Sequence, residues 1–153
     1  MDLKLIGLDP KTEFEQIQKY ISLLFDELFG ASAVPSQEQF VAVQHQLVET
    51  AGVHWAYKVQ DGNRTVAFFT LAQSFSVFAK GKYGMINELW VSPESRGQGV
   101  GQQVLDAIKQ LAKGHGWLRL DVSAPSPEKW ARIVEFYVQN GFEFTGKKLK
   151  YLL

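Results

Sequence analysis

The stretch from Met85 to Gly101 constrains the fold of this chain more than any other part of the sequence. It reads MINELWVSPESRGQGVG, so a strand pattern runs into a short polar loop and a helix pattern opens directly after the last glycine. The first N–H groups of a helix have no partner inside the helix, and the helix dipole is positive there. Because glycine lets another molecule approach the backbone closely, this junction predicts a pocket that binds phosphate.

The composition fits one folded domain and excludes several kinds of site. The chain has 153 residues, of which 46% are hydrophobic and 13% aromatic, so we expect a single domain over residues 1–153. Lysine plus arginine equals aspartate plus glutamate at 16 each, which argues against a nucleic-acid partner. The absence of cysteine excludes disulfides, thiolate metal sites and cysteine nucleophiles.

Two further expectations concern membranes and metals. No apolar run approaches the length of a membrane span and no signal peptide begins the chain. We therefore expect a soluble cytoplasmic protein without a membrane partner. The spacing of His45, His54 and His115 matches no metal-binding motif, so we expect no bound metal.

Hydrophobic periodicity predicts a mixed α/β fold. A strand over residues 3–8 is followed by a helix with Asp9 as N-cap and Pro10 at its first position, and Ser36 and Gln39 have the capping-box spacing of a second helix. Three strands then form an antiparallel meander, and the strand from Met85 should lie parallel to the strand from Trp117 across a right-handed helical crossover. The remaining predicted elements are a helix that begins at Ser126–Pro127 and closing strands at 142–144 and 148–152. The fold class is therefore a single mixed, mostly antiparallel sheet of six or seven strands with helices on both faces.

Two common phosphate-binding loops fit the glycines poorly. A Walker A loop needs Lys and Ser or Thr after its last glycine, where this chain has Gln102–Gln103. A dinucleotide fingerprint is favoured by Asp121, which stands 20 residues beyond Gly101. However, Val104 takes the place of the third glycine, and the loop before Gly97 is too long for the tight strand-to-helix turn. A dinucleotide-binding oxidoreductase stays as the less favoured alternative.

A third loop pattern, Arg-x-x-Gly-x-Gly, is matched by Arg96, Gly99 and Gly101. Together with the strand Glu88–Val91 and the segment Phe136–Phe142, it gives the chain a resemblance to the GNAT N-acetyltransferase superfamily. The resemblance covers roughly residues 53–145 and is loosely nearest to the small-amine and polyamine branch. It implies the acyl-CoA N-acyltransferase fold, in which the strand before the loop splays from its parallel neighbour, often with a bulge.

The resemblance also implies acetyl-CoA as the cosubstrate. The backbone of the loop would bind the pyrophosphate, with an added charge contact from Arg96, and free backbone groups of the splayed strand would pair with the pantetheine arm. By position, the implied cofactor-binding residues are Leu89, Trp90, Val91, Arg96, Gly97, Gln98, Gly99, Val100 and Gly101.

Two catalytic residues follow from the same resemblance. Tyr137 matches the tyrosine acid of the family and would protonate the leaving thiolate, although it also lies on an apolar helix stripe and could be a core residue. Glu88 is the candidate base that removes the proton of the amine; the alternatives are a structural carboxylate or one that attracts a cationic amine. The chain departs from the family where Trp130 and Ile133 replace a frequent Asn and Ala, and Ser123 and Ser126 are the polar residues that could fill the missing contact.

These observations predict an N-acetyltransferase that moves the acetyl group directly from acetyl-CoA to a primary amine, since no cysteine can hold the acetyl group. We expect a small-molecule acceptor, with a polyamine, an aminoglycoside, a peptide and a lysine side chain left open. The alternative in another class is a non-catalytic acyl-CoA-binding module. Relatives often dimerise, so a homodimer is also left open.

Overall fold

The computed structural model describes residues 2–125 and 127–153. Its elements in chain order are β1 (Leu3–Leu8), α1 (Phe14–Phe29), α2 (Gln37–Glu49), β2 (His54–Asp61), β3 (Arg64–Ser76), β4 (Gly81–Val91), α3 (Val100–Gly114), β5 (Leu120–Val122) and α4 (Pro127–Gln139). Short 3-10 turns occupy Ala31–Ala33 and Pro93–Ser95. The chain divides into two compact units, Met1–Ser123 and Ala124–Leu153.

The first unit is built on a sheet of five strands in the order β1-β2-β3-β4-β5. Neighbouring strands are antiparallel from β1 to β4, and β4 pairs with β5 in parallel. The predicted mixed sheet, with its meander and its parallel pair, is confirmed. The helix that connects the two parallel strands is α3, which begins directly after the glycine loop.

Helices cover both faces of this sheet. On one face the core contains Tyr20 of α1, Phe40 of α2, and the strand residues Phe68 and Trp90. Because strand neighbours point to opposite faces, the equally buried Phe69 turns to the other face. That face is covered by α3, which contacts β3 and β4 and buries Val100, Val104, Leu105 and Ile108.

Helix α1 begins four residues later than the sequence predicts. The Asp9 side chain accepts a hydrogen bond from the backbone N–H of Lys11 at 2.9 Å, and its carbonyl accepts from Glu13 N–H at 2.7 Å. Asp9 therefore closes a turn on its own backbone, as aspartate often does, and Glu13 is the N-cap residue. The predicted capping box of α2 is confirmed, with both reciprocal bonds between Ser36 and Gln39 present.

The predicted closing strands are wrong for the described residues. No strand follows β5 there, so the sheet has five strands instead of six or seven. The run between the two predicted strands is interrupted at Gly146, whose φ of +124° departs from extended backbone. The segment leaves large apolar side chains exposed, among them Phe144, Leu149, Tyr151 and Leu152.

The second unit contains α4, which is interrupted near its start. Trp130 has φ −125° and ψ 44°, values outside the helical region, so α4 is kinked one turn before Val134. The N-cap predicted at Ser126 lies outside the described residues. The helix ends before Gly141, which has a left-handed φ of +93°.

Candidate active site

Strand β4 carries a bulge beside Glu88. The register pairs Thr70 with Glu88 but Leu71 with Ile86, so Asn87 is an extra residue in β4. Residues directly opposite each other in a sheet share a face. The bulge therefore places Glu88 on the α1 face with Thr70, and Ile86 on the α3 face with Leu71.

The parallel partner of β4 is lost at the same point. β5 pairs only with Gly84–Ile86, through Leu120–Val122, whereas β4 continues to Val91. In the part of the chain that the structure describes, no strand pairs with Asn87–Val91 on that side. This open edge of β4, Asn87–Val91, is the splayed parallel pair that the resemblance implies.

The backbone groups at the open edge follow from the ladder between β3 and β4. Ser92 N–H donates to the Val66 carbonyl at 2.8 Å, and hydrogen-bonded pairs alternate along an antiparallel ladder. Trp90 therefore turns its N–H and C=O towards β3, whereas Leu89 and Val91 turn theirs to the open edge. Leu89 and Val91 thus present backbone groups at the open edge, where the Val91 carbonyl accepts from Arg96, and the contacts of Leu89, Trp90 and Val91 with a pantetheine arm stay predictions.

The side chain of Trp90 belongs to the core. It is 7% exposed, and its ring lies 5.3 Å from that of Tyr20, which also stacks on Phe68 at 5.4 Å. Aromatic packing of this kind fixes α1 against the last part of β4. The position of the open edge therefore depends on Trp90, although its backbone groups are used within the sheet.

The loop after β4 presents backbone donors to open space. Gly97 and Gly99 have φ of +74° and +79°, and a Cβ atom added at either would meet no atom within 4 Å. Gly99 is the N-cap residue of α3, and no side chain caps the helix. Among the described residues, the N–H groups of Gly97, Gln98 and Gly99 donate to no backbone carbonyl. With the bare first turn at Val100 and Gly101, they form a nest of donors suited to an anion.

Arg96 fastens this loop to two other parts of the first unit. Its Nε and Nη2 atoms donate to the Val91 carbonyl at 3.1 and 2.9 Å, and Nη2 lies 2.6 Å from the carboxylate of Glu27 at the end of α1. Both charged side chains are partly exposed, so the ion pair itself contributes little stability. The predicted phosphate contact of Arg96 stays a prediction, since its guanidinium here binds a carbonyl and a carboxylate.

Glu88 has the environment of a carboxyl that can take up a proton. It is half-buried, and its carboxylate accepts a hydrogen bond from the hydroxyl of the fully buried Thr70. Burial raises the pKa of Glu88 above its usual value, and the hydrogen bond from Thr70 opposes part of that rise by lowering the pKa. A carboxylate with a raised pKa is a better base near neutral pH than an exposed one.

Tyr137 lies in α4 of the second unit. It is 7% exposed, and its ring packs edge-on against Phe136 and Phe142, with centroids 5.3 and 5.5 Å away. Burial raises the pKa of Tyr137 to about 12, so its hydroxyl is protonated at neutral pH. It can therefore donate a proton but cannot serve as a base there.

The three histidines have different surroundings, and His45 is exposed. The His115 ring packs against Trp55 and Trp117, with centroids 4.3 and 4.5 Å away, and burial lowers the pKa of His54. Among the described residues, no three His, Asp or Glu side chains are grouped as metal ligands would be. No helix in that part of the chain has both the length and the apolar character needed to cross a membrane.

Sequence reasoning missed two residues of this site, Thr70 and Asn87. The signal for the bulge is present, because Asn87 and Glu88 are adjacent polar residues in the otherwise apolar run from Met85 to Val91, which interrupts a period of two. Thr70 has no such signal, since threonine is common in strands and its partner is known only from the register.

Comparison with known proteins gives one family and many similar folds. The model of the acetyltransferase (GNAT) family matches residues 15–142. No curated protein sequence matches the chain. The similar solved structures include an integron cassette protein from the mobile metagenome of V. cholerae, with 22% identity and a TM-score of 0.76 over 100% of this chain and 93% of that one.

Two other solved structures carry names that describe an activity or a ligand. An aminoglycoside acetyltransferase from an uncultured soil metagenomic sample, in complex with trehalose, has 21% identity and a TM-score of 0.72 over 99% of this chain and 96% of that one. AAC(6')-Iy in complex with the bisubstrate analogue CoA-S-monomethyl-acetylneamine has 13% identity and a TM-score of 0.73, over 100% of this chain and 99% of that one. At these identities the likenesses concern the fold. The family match spans most of the chain, and the chain belongs to the GNAT acetyltransferase family.

Proposed function

We propose that this protein, as one domain, is an N-acetyltransferase that moves the acetyl group from acetyl-CoA directly to a primary amine of a small molecule. The observation that carries the proposal is the nest of bare N–H groups at Gly97–Gly101, which follows the open edge of β4 in the chain. The nest suits a diphosphate, and an open strand edge suits the amide groups of a pantetheine arm. Only a ligand that carries a diphosphate and amide groups in series, as coenzyme A does, would use the nest and the open edge at the same time.

The chemistry assigns one task to each group. One of the edge-facing backbone N–H groups, that of Leu89 or that of Val91, would polarise the acetyl carbonyl, whose oxygen gains negative charge as the amine attacks, and the other would pair with the pantetheine arm. Glu88 would accept the proton that the amine nitrogen loses, directly or through a water. The bond between the carbonyl carbon and sulfur then breaks, and Tyr137 would protonate the departing thiolate. No cysteine is available for an acetyl-enzyme, so both substrates would be bound together.

The names of several similar solved structures support a small-molecule acceptor. Several are named as aminoglycoside acetyltransferases, which makes aminoglycosides the first amines to test. Polyamines, a peptide N-terminus and a lysine side chain complete the panel, since each presents a primary amine.

The test measures binding and turnover separately. Isothermal titration calorimetry with coenzyme A should show binding, and release of free thiol from acetyl-CoA should depend on one class of amine in the panel. Tyr137→Phe should bind coenzyme A as the unaltered protein does and turn over about 100-fold more slowly.

Three results would contradict the proposal. Absence of heat with coenzyme A would remove the cofactor assignment. Binding without turnover on any amine would favour an acyl-CoA-binding module. Protection against heat by NAD and none by coenzyme A would favour a dinucleotide enzyme.

A further inference from the structure

We propose that Thr70 is a positioning residue, whose hydroxyl holds the Glu88 carboxylate in one orientation beside the open edge of β4. The proposal rests on the base role given to Glu88 above. It adds a residue of the neighbouring strand, with no expected contact to either substrate, to the group that performs proton transfer.

The geometry places the two side chains within reach of each other. Thr70 and Glu88 are directly opposite in the register of β3 and β4, so their Cβ atoms are on the same face and close together. The Thr70 hydroxyl donates to Oε2 of Glu88, because an ionised carboxylate can only accept. Read along β3, Thr70 and Glu88 are the last pair before the bulge at Asn87 shifts the register.

Burial shows that the hydroxyl is unusual at this position. Thr70 is 1% exposed, in a run from Val66 to Leu71 that is otherwise apolar and fully buried. Its neighbours in the same row across the sheet, Ala56 and Leu8, belong to the apolar core. A buried hydroxyl is costly unless it forms a hydrogen bond, and valine has almost the same shape. The bond to Glu88 is therefore the feature that distinguishes threonine from valine here.

Two of the other titratable groups on this face, Tyr20 and Lys58, have partners of their own. The ring of Tyr20, from α1, packs on Phe68 and Trp90, and the ammonium group of Lys58, from β2, donates to the side-chain oxygen of Gln16 at 2.8 Å. Burial raises the pKa of Glu88, and the hydrogen bond from Thr70 lowers it. Removal of the hydroxyl would leave the effect of burial unopposed, so Glu88 would take up a proton at a higher pH.

The experiment compares Thr70→Val with Thr70→Ser, which retains the hydroxyl. A matched control is Thr65→Val, because Thr65 lies in the same strand but pairs with Gln60. For each protein, kcat/KM for one amine is measured against pH, and the Glu88 carboxyl carbon is titrated by NMR, with Glu88→Gln used to assign its signal. Thermal unfolding shows whether each variant is folded, and Thr70→Ala replaces the valine variant if that one is not.

We expect the acidic limb of kcat/KM and the NMR titration of Glu88 to move to higher pH in Thr70→Val. At neutral pH, kcat/KM should fall roughly tenfold, as for the loss of one hydrogen bond to a charged group. Thr70→Ser and Thr65→Val should titrate like the unaltered protein. A Glu88 titration that is unchanged in Thr70→Val, or a serine variant that behaves like the valine variant, would overturn the proposal.

Glu88→Gln separates this proposal from the one on which it rests. If Glu88→Gln keeps full activity and the same acidic limb, the base role fails, whatever the Thr70 variants do. If Glu88→Gln loses activity but Thr70→Val leaves both the limb and the NMR titration in place, only the role of Thr70 fails.

Discussion

Gly99→Ala tests the loop with a change whose cost to the fold can be worked out from the structure. Gly99 has φ of +79°, and an added Cβ would meet no atom within 4 Å. The chain therefore offers no steric resistance, and the cost is that of a left-handed backbone at a residue with a side chain, about 1 kcal/mol. For a chain of this length we expect the melting temperature to fall by about 2–4 °C.

The effect on ligand binding should be much larger than the effect on stability. The new methyl group would occupy the open space beside the bare N–H groups of Val100 and Gly101, where a diphosphate would lie. Loss of one hydrogen bond to a charged group costs about 1.5–3 kcal/mol. The dissociation constant for coenzyme A, measured by isothermal titration calorimetry, should therefore rise at least about tenfold.

Gly116→Ala is the matched control. Gly116 has φ of +76° and the same open surroundings, but it follows the other end of α3, roughly 22 Å along the helix axis. This variant should lose the same small amount of stability and bind coenzyme A normally. Normal binding by Gly99→Ala, or equal losses of affinity in the two variants, would refute the assignment of the loop as the diphosphate site.

Three further predictions concern other parts of the chain. Burial raises the pKa of Tyr137 from 10.0 to about 12, so on raising the pH the unfolded chain releases this proton before the folded chain does. The free energy of unfolding should therefore fall by about 2–3 kcal/mol between pH 10 and pH 12. In denaturant titrations at alkaline pH, Tyr137→Phe should lack this part of the decline. Gly84→Ala would force a methyl group into the buried Trp117 ring, so it should cost about 1–3 kcal/mol of stability by urea denaturation; an unchanged midpoint would contradict the packing. Arg96→Ala should weaken binding of coenzyme A more than binding of pantetheine, whereas equal weakening would mean that Arg96 acts through the Val91 carbonyl and not on phosphate.

The strand, loop and helix around Gly97 and Gly99 could be predicted from the sequence because their determinants are local. Both residues adopt positive φ, which side chains disfavour, so the glycines themselves signal the shape of the loop. The capping box of Ser36 and Gln39 is local in the same sense. The parallel pair followed from chain order, since a helix connects the two strands.

Features that depend on distant partners could not be predicted. Asp9 has the same preference for a helix start as for a turn, and only the hydrogen bonds of the folded chain distinguish the two. The apolar residues at 148–152 have the composition of a strand, but a strand exists only with a neighbour to pair with. The contact between Thr70 and Glu88 joins residues 18 positions apart, and it requires the register that the bulge sets.

The extra residue at Asn87 divides β4 into two halves with different neighbours. Before it, Gly84–Ile86 are bound on both sides, by β3 and β5. After it, within residues 2–125 and 127–153, the only strand that pairs with Glu88–Val91 is β3. Because the tip of this hairpin, residues 77–80, lies beyond the last pair of β3 and β4, a change in its length need not alter the register of Glu88–Val91 with β3. The tip is thus the part of the hairpin where a change of length disturbs the open edge least, whereas Gly84, packed against Trp117, tolerates little change.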